Sequence, residues 1–231
     1  MATLKVLSAG AVKRGVAQIA AEFEQATGNR VAIEFAPVPE LRRRIAAGEA
    51  ADVIVATPAV MDEFAAQGKL APESRGFIGR SRMGVVVHAD APVPPLGDTA
   101  AFTQVLLSAS KVVRNEASSG IYTAKLLDRL GLTPKLGSNV VVVKTGAEIM
   151  EYVAAHAPAA VGLAQISEVM VMIAKGCRVK LAAPLPDEIQ NMTSYDAAAA
   201  TGSQAPDAAR ALARELASDA AKNIFAVTGI S

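Results

Sequence analysis

Three times within residues 1–68 a short apolar or β-branched run gives way to a stretch of helical spacing that stops at a glycine. Leu4–Ser8 reads as a buried strand, and Val12, Val16, Ile19, Ala20 and Phe23 then recur at helical spacing up to Gly28-Asn29. Arg30–Phe35 alternates as a second strand, and Leu41 and Ile45 place an amphipathic helix over Glu40–Ala47, ended by Gly48. Asp52–Ala56 reads as a third strand. Thr57-Pro58 then opens a helix to Gly68, with Thr as N-cap and Pro at the first helical position. Parallel strands need a crossover element between them, so this alternation predicts βαβ units and a parallel sheet.

The rhythm then changes. Met83–His88 is a long apolar strand with no prompt helix after it, and Ala91–Pro95 is a proline-rich loop. A second alternating block follows: helix over Ala100–Ser108, strand Lys111–Arg114, helix Ser119–Leu130, strand Asn139–Val143, helix Ala147–Ala155 and strand Ala160–Ala164. Arg178–Ala182 leads into Pro184 and Pro186. Ser194–Ala200 is an alanine-rich extended segment, and Pro206–Leu216 and Ala220–Val227 read as helices. The expected organisation is α/β with two lobes, each a mixed sheet flanked by helices. The first lobe is residues 1–79 with 195–231 and the second is 80–194.

Lys and Arg total 23 against 22 Asp and Glu. A nucleic-acid binder shows a basic excess to neutralise phosphates, so that class is excluded. With 52% hydrophobic and 19% charged residues the chain is globular, and with 4% aromatics and no Trp its core falls to Ala, Val, Leu and Ile. Cys177 is the single cysteine, so neither an internal disulfide nor a cysteine metal cage is possible. His88 lies in an apolar strand pattern and His156 stands two residues before a proline, so no metal site is expected. No Walker A loop, dinucleotide fingerprint, G-x-S-x-G or H-E-x-x-H is present, and no cofactor is expected. No apolar run reaches about 18 residues, the length a transmembrane helix needs. Val6–Val12 is followed at once by Lys13 and Arg14 with no small-residue cleavage site, unlike a signal peptide. The expectation is a cytoplasmic protein, or a periplasmic one from which an export leader has been removed.

In open α/β sheets ligands bind beyond the carboxyl ends of strands, at helix N-termini. Four places have that form. Ser8-Ala9-Gly10-Ala11 joins the first strand to its helix with small residues that let an anion approach free N–H groups. Thr57 follows the third strand, where its hydroxyl serves either the backbone or a ligand. Ser118-Ser119-Gly120 puts two hydroxyls at a helix start that needs only one as a cap. Gln165-Ile166-Ser167 follows the strand Ala160–Ala164 and either reaches a ligand or simply begins a helix. Arg42-Arg43-Arg44 fan out around one helix and read as a solvated face. Arg80 and Arg82 stand two apart at the expected lobe crossing, placed to clamp a carboxylate.

Lys5–Ala11, Phe23-Glu24-Gln25-Ala26-Thr27-Gly28, Ala47-Gly48-Glu49-Ala50-Ala51-Asp52-Val53, Gly120-Ile121-Tyr122 and the Ala220–Gly229 segment, in this order, resemble the type II solute-binding proteins of the molybdate-binding, ModA-like family. The resemblance covers nearly the whole chain. It implies two α/β lobes joined by two crossing strands, an anion in the interlobe cleft and, for an exported member, an ABC transporter membrane component as partner. The side chains that hold the oxyanion in molybdate binders fall here on Ala11, Val38, Ala56 and Gln165, none with a hydroxyl, while backbone donors at Gly10, Ala11 and Thr57 remain. Each good hydrogen bond not made to a buried oxyanion costs roughly 1–3 kcal/mol, so tight molybdate binding is not expected.

The resemblance extends to an isomerase on the same scaffold, aconitate isomerase, which moves a proton across an allylic system of a tricarboxylate. It implies carboxylate clamps, for which Arg80, Arg82, Thr57, Ser118 and Ser119 are placed, and an acid/base group, for which Glu116 or Lys144 is placed. A ligand-binding set of Ala9, Gly10, Ala11, Val38, Thr57, Arg80, Arg82, Ser118, Ser119, Gly120 and Gln165 is therefore expected. Three readings stay open: an anion-binding protein, an isomerase of a small carboxylic acid, and a sensory ligand-binding module.

Overall fold

The computed structural model describes residues 1–156 and 158–231. In chain order its elements are β1 (Thr3–Ala9), α1 (Lys13–Thr27), β2 (Arg30–Ala36), α2 (Val38–Ala46), β3 (Val53–Ala56), α3 (Pro58–Ala66) and β4 (Gly76–Ser81). Then come β5 (Met83–His88), α4 (Thr99–Ser108), β6 (Lys111–Asn115), α5 (Ser118–Arg129), α6 (Thr133–Leu136), β7 (Val140–Val143), α7 (Gly146–Ala155), β8 (Ala160–Gln165), α8 (Ile166–Ala174) and β9 (Val179–Pro184). The chain closes with β10 (Thr193–Ala199), α9 (Pro206–Leu216) and α10 (Asp219–Val227). It divides into one unit of Met1–Ser81 with Thr193–Ser231 and a second of Arg82–Met192. Loop composition places the crossings near Gly79–Arg82 and Thr193–Tyr195.

The first unit holds a five-stranded sheet of order β2-β1-β3-β10-β4. β1, β2 and β3 are parallel, while β10 runs antiparallel to both its neighbours. β3 is central and wholly buried, whereas the edge strand β2 alternates in exposure. Ala197, Ala198 and Ala199 of β10 are buried, and their small side chains let α9 pack closely over them. Phe64, Phe225, Leu4, Leu7, Ile54 and Met61 fill the core.

β4 escapes a reading by local pattern, because what makes it a strand is distant in sequence. It pairs with β10 on one side, and its Arg80 exchanges two backbone hydrogen bonds with Ser231, at 2.6 and 2.9 Å. Isolated, Gly76–Ser81 carries two glycines and lacks the alternation of a half-buried strand.

The second unit holds a sheet of order β7-β6-β8-β5-β9, with β6, β7 and β8 parallel and β5 antiparallel to both β8 and β9. Helices cover both faces, so its inner strands are apolar on both sides. The period of two is visible in the packing. Val85 and Val87 join the cluster around Phe102, Leu106 and Leu126, while Val86 joins the one around Ile149, Met150 and Val153. α8 is a full helix whose sequence, Ile-Ser-Glu-Val-Met-Val-Met-Ile-Ala, is too apolar all round to reveal its period. Both sheets, each of five strands flanked by helices, bear out the two-lobed α/β class. Among the described residues no helix is long and apolar enough to cross a membrane.

Candidate functional site

The parallel strands of each unit end on short connections into helices, and the expected ligand residues lie there. In the first unit Ala9 ends β1 and is buried, and Gly10 and Ala11 form a single 3-10 turn into α1. Val38 is the first residue of α2 after β2, and Thr57 stands between β3 and α3. β4 runs parallel to β3, so Arg80 lies at this same end of the sheet. Its guanidinium is over the Phe77 ring, 5.4 Å from the centroid.

A common feature joins these connections. The 3-10 turn, α1, α2 and α3 all begin without a side chain accepting from their first-turn N–H groups. Thr57 occupies the N-cap position of α3 but makes no cap bond, so its hydroxyl is not consumed by the backbone. A Cβ added at Gly10 would meet nothing within 4 Å. The first amides of a helix lack intrahelical partners, so these starts carry unspent donors and partial positive charge.

The second unit repeats the pattern at β6 and β8. α5 and α8 have no side-chain cap, with Ala117 and Gln165 at their N-cap positions. α6 and α9 are likewise uncapped, with Leu132 and Ala205 at their N-cap positions, whereas α4, α7 and α10 are capped by Asp98, Thr145 and Ser218. α7 follows β7 at the sheet edge, and Lys144 and Thr145 there both serve Glu148, by a backbone N–H and a hydroxyl.

The serine–glycine start of α5 is used differently from the simple anion cradle expected. Ser118 is exposed, but the Ser119 hydroxyl is buried and donates to Asn115 Oδ1 at 3.3 Å. Gly120 packs on the Asn115 backbone. Arg114, which sequence reading passed over as the end of a strand, donates through Nη1 to the carbonyls of Asn115 at 3.2 Å and Gly120 at 3.4 Å. A basic residue closing an inner parallel strand was the signal available. Glu116 is exposed beside it.

Arg82 precedes β5, whose start lies at the same sheet end as the finish of β8, with Met83 opposite Gln165. The Arg82 carbonyl accepts from the Ile166 N–H at 2.9 Å. Gln190 holds this strand start, accepting from Met83 N–H at 2.8 Å and donating to the Met83 carbonyl at 3.1 Å. Arg80 and Arg82 therefore belong to different units. Arg42, Arg43 and Arg44 are each paired with acids of their own unit: Glu63, Glu40, and Glu34 with Glu49. His88 ends β5, its Nδ1 accepting from the Asp90 N–H at 3.2 Å.

A partly buried ion pair stiffens the Thr57 region. Arg75 donates through Nε to Asp196 at 2.8 Å, through Nη1 to Asp62 at 2.6 Å and through Nη2 to the Pro58 carbonyl at 3.4 Å. It thereby ties the start of α3 to β10.

The model of the bacterial extracellular solute-binding protein family matches residues 4–231. A relative named aconitate isomerase, from a Pseudomonas species, is 34% identical over 229 residues, covering 96% of this chain and 85% of the relative. A solved substrate-binding domain assigned to a molybdenum ABC transporter of Clostridium difficile superposes with a TM-score of 0.81 at 19% identity, covering 99% of this chain and 98% of that one. The periplasmic molybdate-binding protein of Azotobacter vinelandii gives 0.71 at 19% identity, with the same two coverages. The chain has the fold of these molybdate-transport structures and belongs to the bacterial extracellular solute-binding protein family.

Proposed function

We propose that this chain binds a small anion, and that the anion is an organic carboxylate, not a bare tetrahedral oxyanion. The observation that carries this reading is the set of helix starts left without side-chain caps at the carboxyl ends of β1, β2, β3, β6 and β8. Unspent backbone donors suit an anion. Ala11, Val38, Ala56 and Gln165, standing where molybdate binders carry hydroxyls, leave a small oxyanion short of side-chain donors. A larger carboxylate reaches more backbone amides, and has Arg80 and Thr57 as candidate partners in the first unit or Arg82 in the second. If the protein is exported, the membrane component of an ABC transporter is the partner this reading implies.

A thermal shift series tests it. Ligand at 100 times its dissociation constant adds about 2.7 kcal/mol of stability. Stabilisation by trans-aconitate, citrate or succinate and none by millimolar molybdate or tungstate is expected. Stabilisation by molybdate alone would overturn the carboxylate assignment.

The relative at 34% identity favours a second reading, isomerisation of an unsaturated tricarboxylate. One C–H bond breaks at an allylic carbon, the double bond shifts, and a proton is returned at the far carbon, which requires an acid/base group beside the clamps. Glu116 and Lys144, both exposed, are the candidates from position alone. Incubation with cis- or trans-aconitate, followed by proton NMR over hours, separates the readings. Conversion beyond stoichiometry establishes turnover, and tight binding of unchanged ligand leaves the binding protein.

A further inference from the structure

Among the buried polar atoms of the second unit that make no hydrogen bond within the described residues are two donors, and both flank the start of α8. The Ser167 hydroxyl makes no hydrogen bond although the residue is only 5% exposed. Arg82 Nε is likewise buried and unbonded, and no acidic side chain of the described residues pairs with this guanidinium. The two residues are neighbours through the backbone bond from Ile166 N–H to the Arg82 carbonyl.

Burial without a partner is costly for a hydroxyl and costlier for a cation, so a fold retains such groups where something external completes them. Both are donors. Ser167 is the second residue of α8, and Cα–Cβ bonds lean toward a helix N-terminus, so its side chain leans toward the uncapped end. The neighbouring α7 is already served by Thr145, whose hydroxyl accepts from the Glu148 N–H, and the Glu168 carboxylate of α8 lies close to Gly146 at the first residue of α7. α8, like α5, begins without a side-chain cap.

We propose that Arg82, Ser167 and the first amides of α8 form a seat for one carboxylate group of the ligand. Arginine can present Nε and an Nη as a fork matched to two carboxylate oxygens, while Ser167 and the helix amides supply the remaining donors. Ser167 becomes a specificity-determining residue with Arg82 as the counter-charge. This rests on the small-anion reading above.

The test is calorimetric titration of wild type, Arg82→Gln and Ser167→Ala with trans-aconitate, citrate, succinate and molybdate, beside ligand-free melting temperatures. Wild type binding a carboxylate, with each variant weakening it at least tenfold, is the expected result. Ligand-free Ser167→Ala should melt at or above wild type, because an unpartnered hydroxyl has gone; a structural serine would lower it. Variants that bind the carboxylate within twofold of wild type, or a ligand-free Ser167→Ala that melts lower, would overturn the seat and leave the anion reading intact. Wild type binding molybdate alone would overturn the carboxylate seat. Wild type binding none of the four would overturn the anion reading and the seat with it.

Discussion

Gly120 lies against the backbone of Asn115 so closely that a Cβ on residue 120 would overlap the Asn115 carbonyl oxygen. The turn between β6 and α5 is therefore closed by contact, and a backbone oxygen has little freedom to move aside. Gly120→Ala should cost about 1–3 kcal/mol, as other overpacked sites do, read from urea unfolding. A variant as stable as wild type would mean that the turn relaxes.

Gly10 is the opposite case, since its missing Cβ would point into open space. Gly10→Val should fold with stability within about 1 kcal/mol of wild type and yet lose most ligand affinity, by screening the amides that follow β1. Full affinity in a folded Gly10→Val would remove the first connection from the binding surface.

Ser119 is held by Asn115, a buried side chain that loses a donor if the hydroxyl is removed. Ser119→Ala should cost about 1 kcal/mol of stability, whereas Ser118→Ala, at an exposed position, should cost nothing measurable. Equal effects in thermal melts would contradict the packing described.

Removing Arg75 leaves the Asp196 carboxylate, 11% exposed, without its cation. Arg75→Met should destabilise by about 3 kcal/mol, while Asp62→Asn, at the exposed end of the same cluster, should cost under about 1 kcal/mol. Denaturant titration of both variants checks the asymmetry.

Glu49 accepts from Arg44 Nε at 2.6 Å and from Lys5 Nζ at 2.8 Å, and these cations pull its carboxyl down to about 2 from an ordinary 4.5. A depressed folded value means stability that is present above pH 4.5 and lost as pH falls through about 2. Wild type should therefore exceed Glu49→Gln in stability at pH 6, converge with it near pH 2, and lose part of the advantage in about 1 M salt. A difference independent of pH would dissociate Glu49 from these cations.

Much of the architecture was legible along the chain. Gly28, Gly48 and Gly68 stop helices where turn chemistry predicts, and Met83–His88 emerges as the fully buried strand its composition implies. β4 was not legible because its partners, β10 and Ser231, lie far along the chain. α8 was legible only as one alternative for Gln165-Ile166-Ser167, because the apolar run Val169–Ala174 shows no helical period. At the candidate site the strand ends and small residues were readable, but the state of each donor was not. Ser118 and Ser119 look equivalent in sequence, and only packing on Asn115 distinguishes them. Thr57 looks like a cap and makes no cap bond.

Alternating apolar periods and helix stops are local properties, governed by side-chain geometry within a few residues, and from them follow the α/β class and the positions of the strand ends. Whether a hydroxyl or guanidinium at such an end is satisfied depends on what another segment brings to it through space. Arg82 beside Ile166 and Ser167, Arg75 across to Asp196, and Arg80 against Ser231 are joined only by folding. The unspent donors of this protein are therefore a property of its tertiary structure.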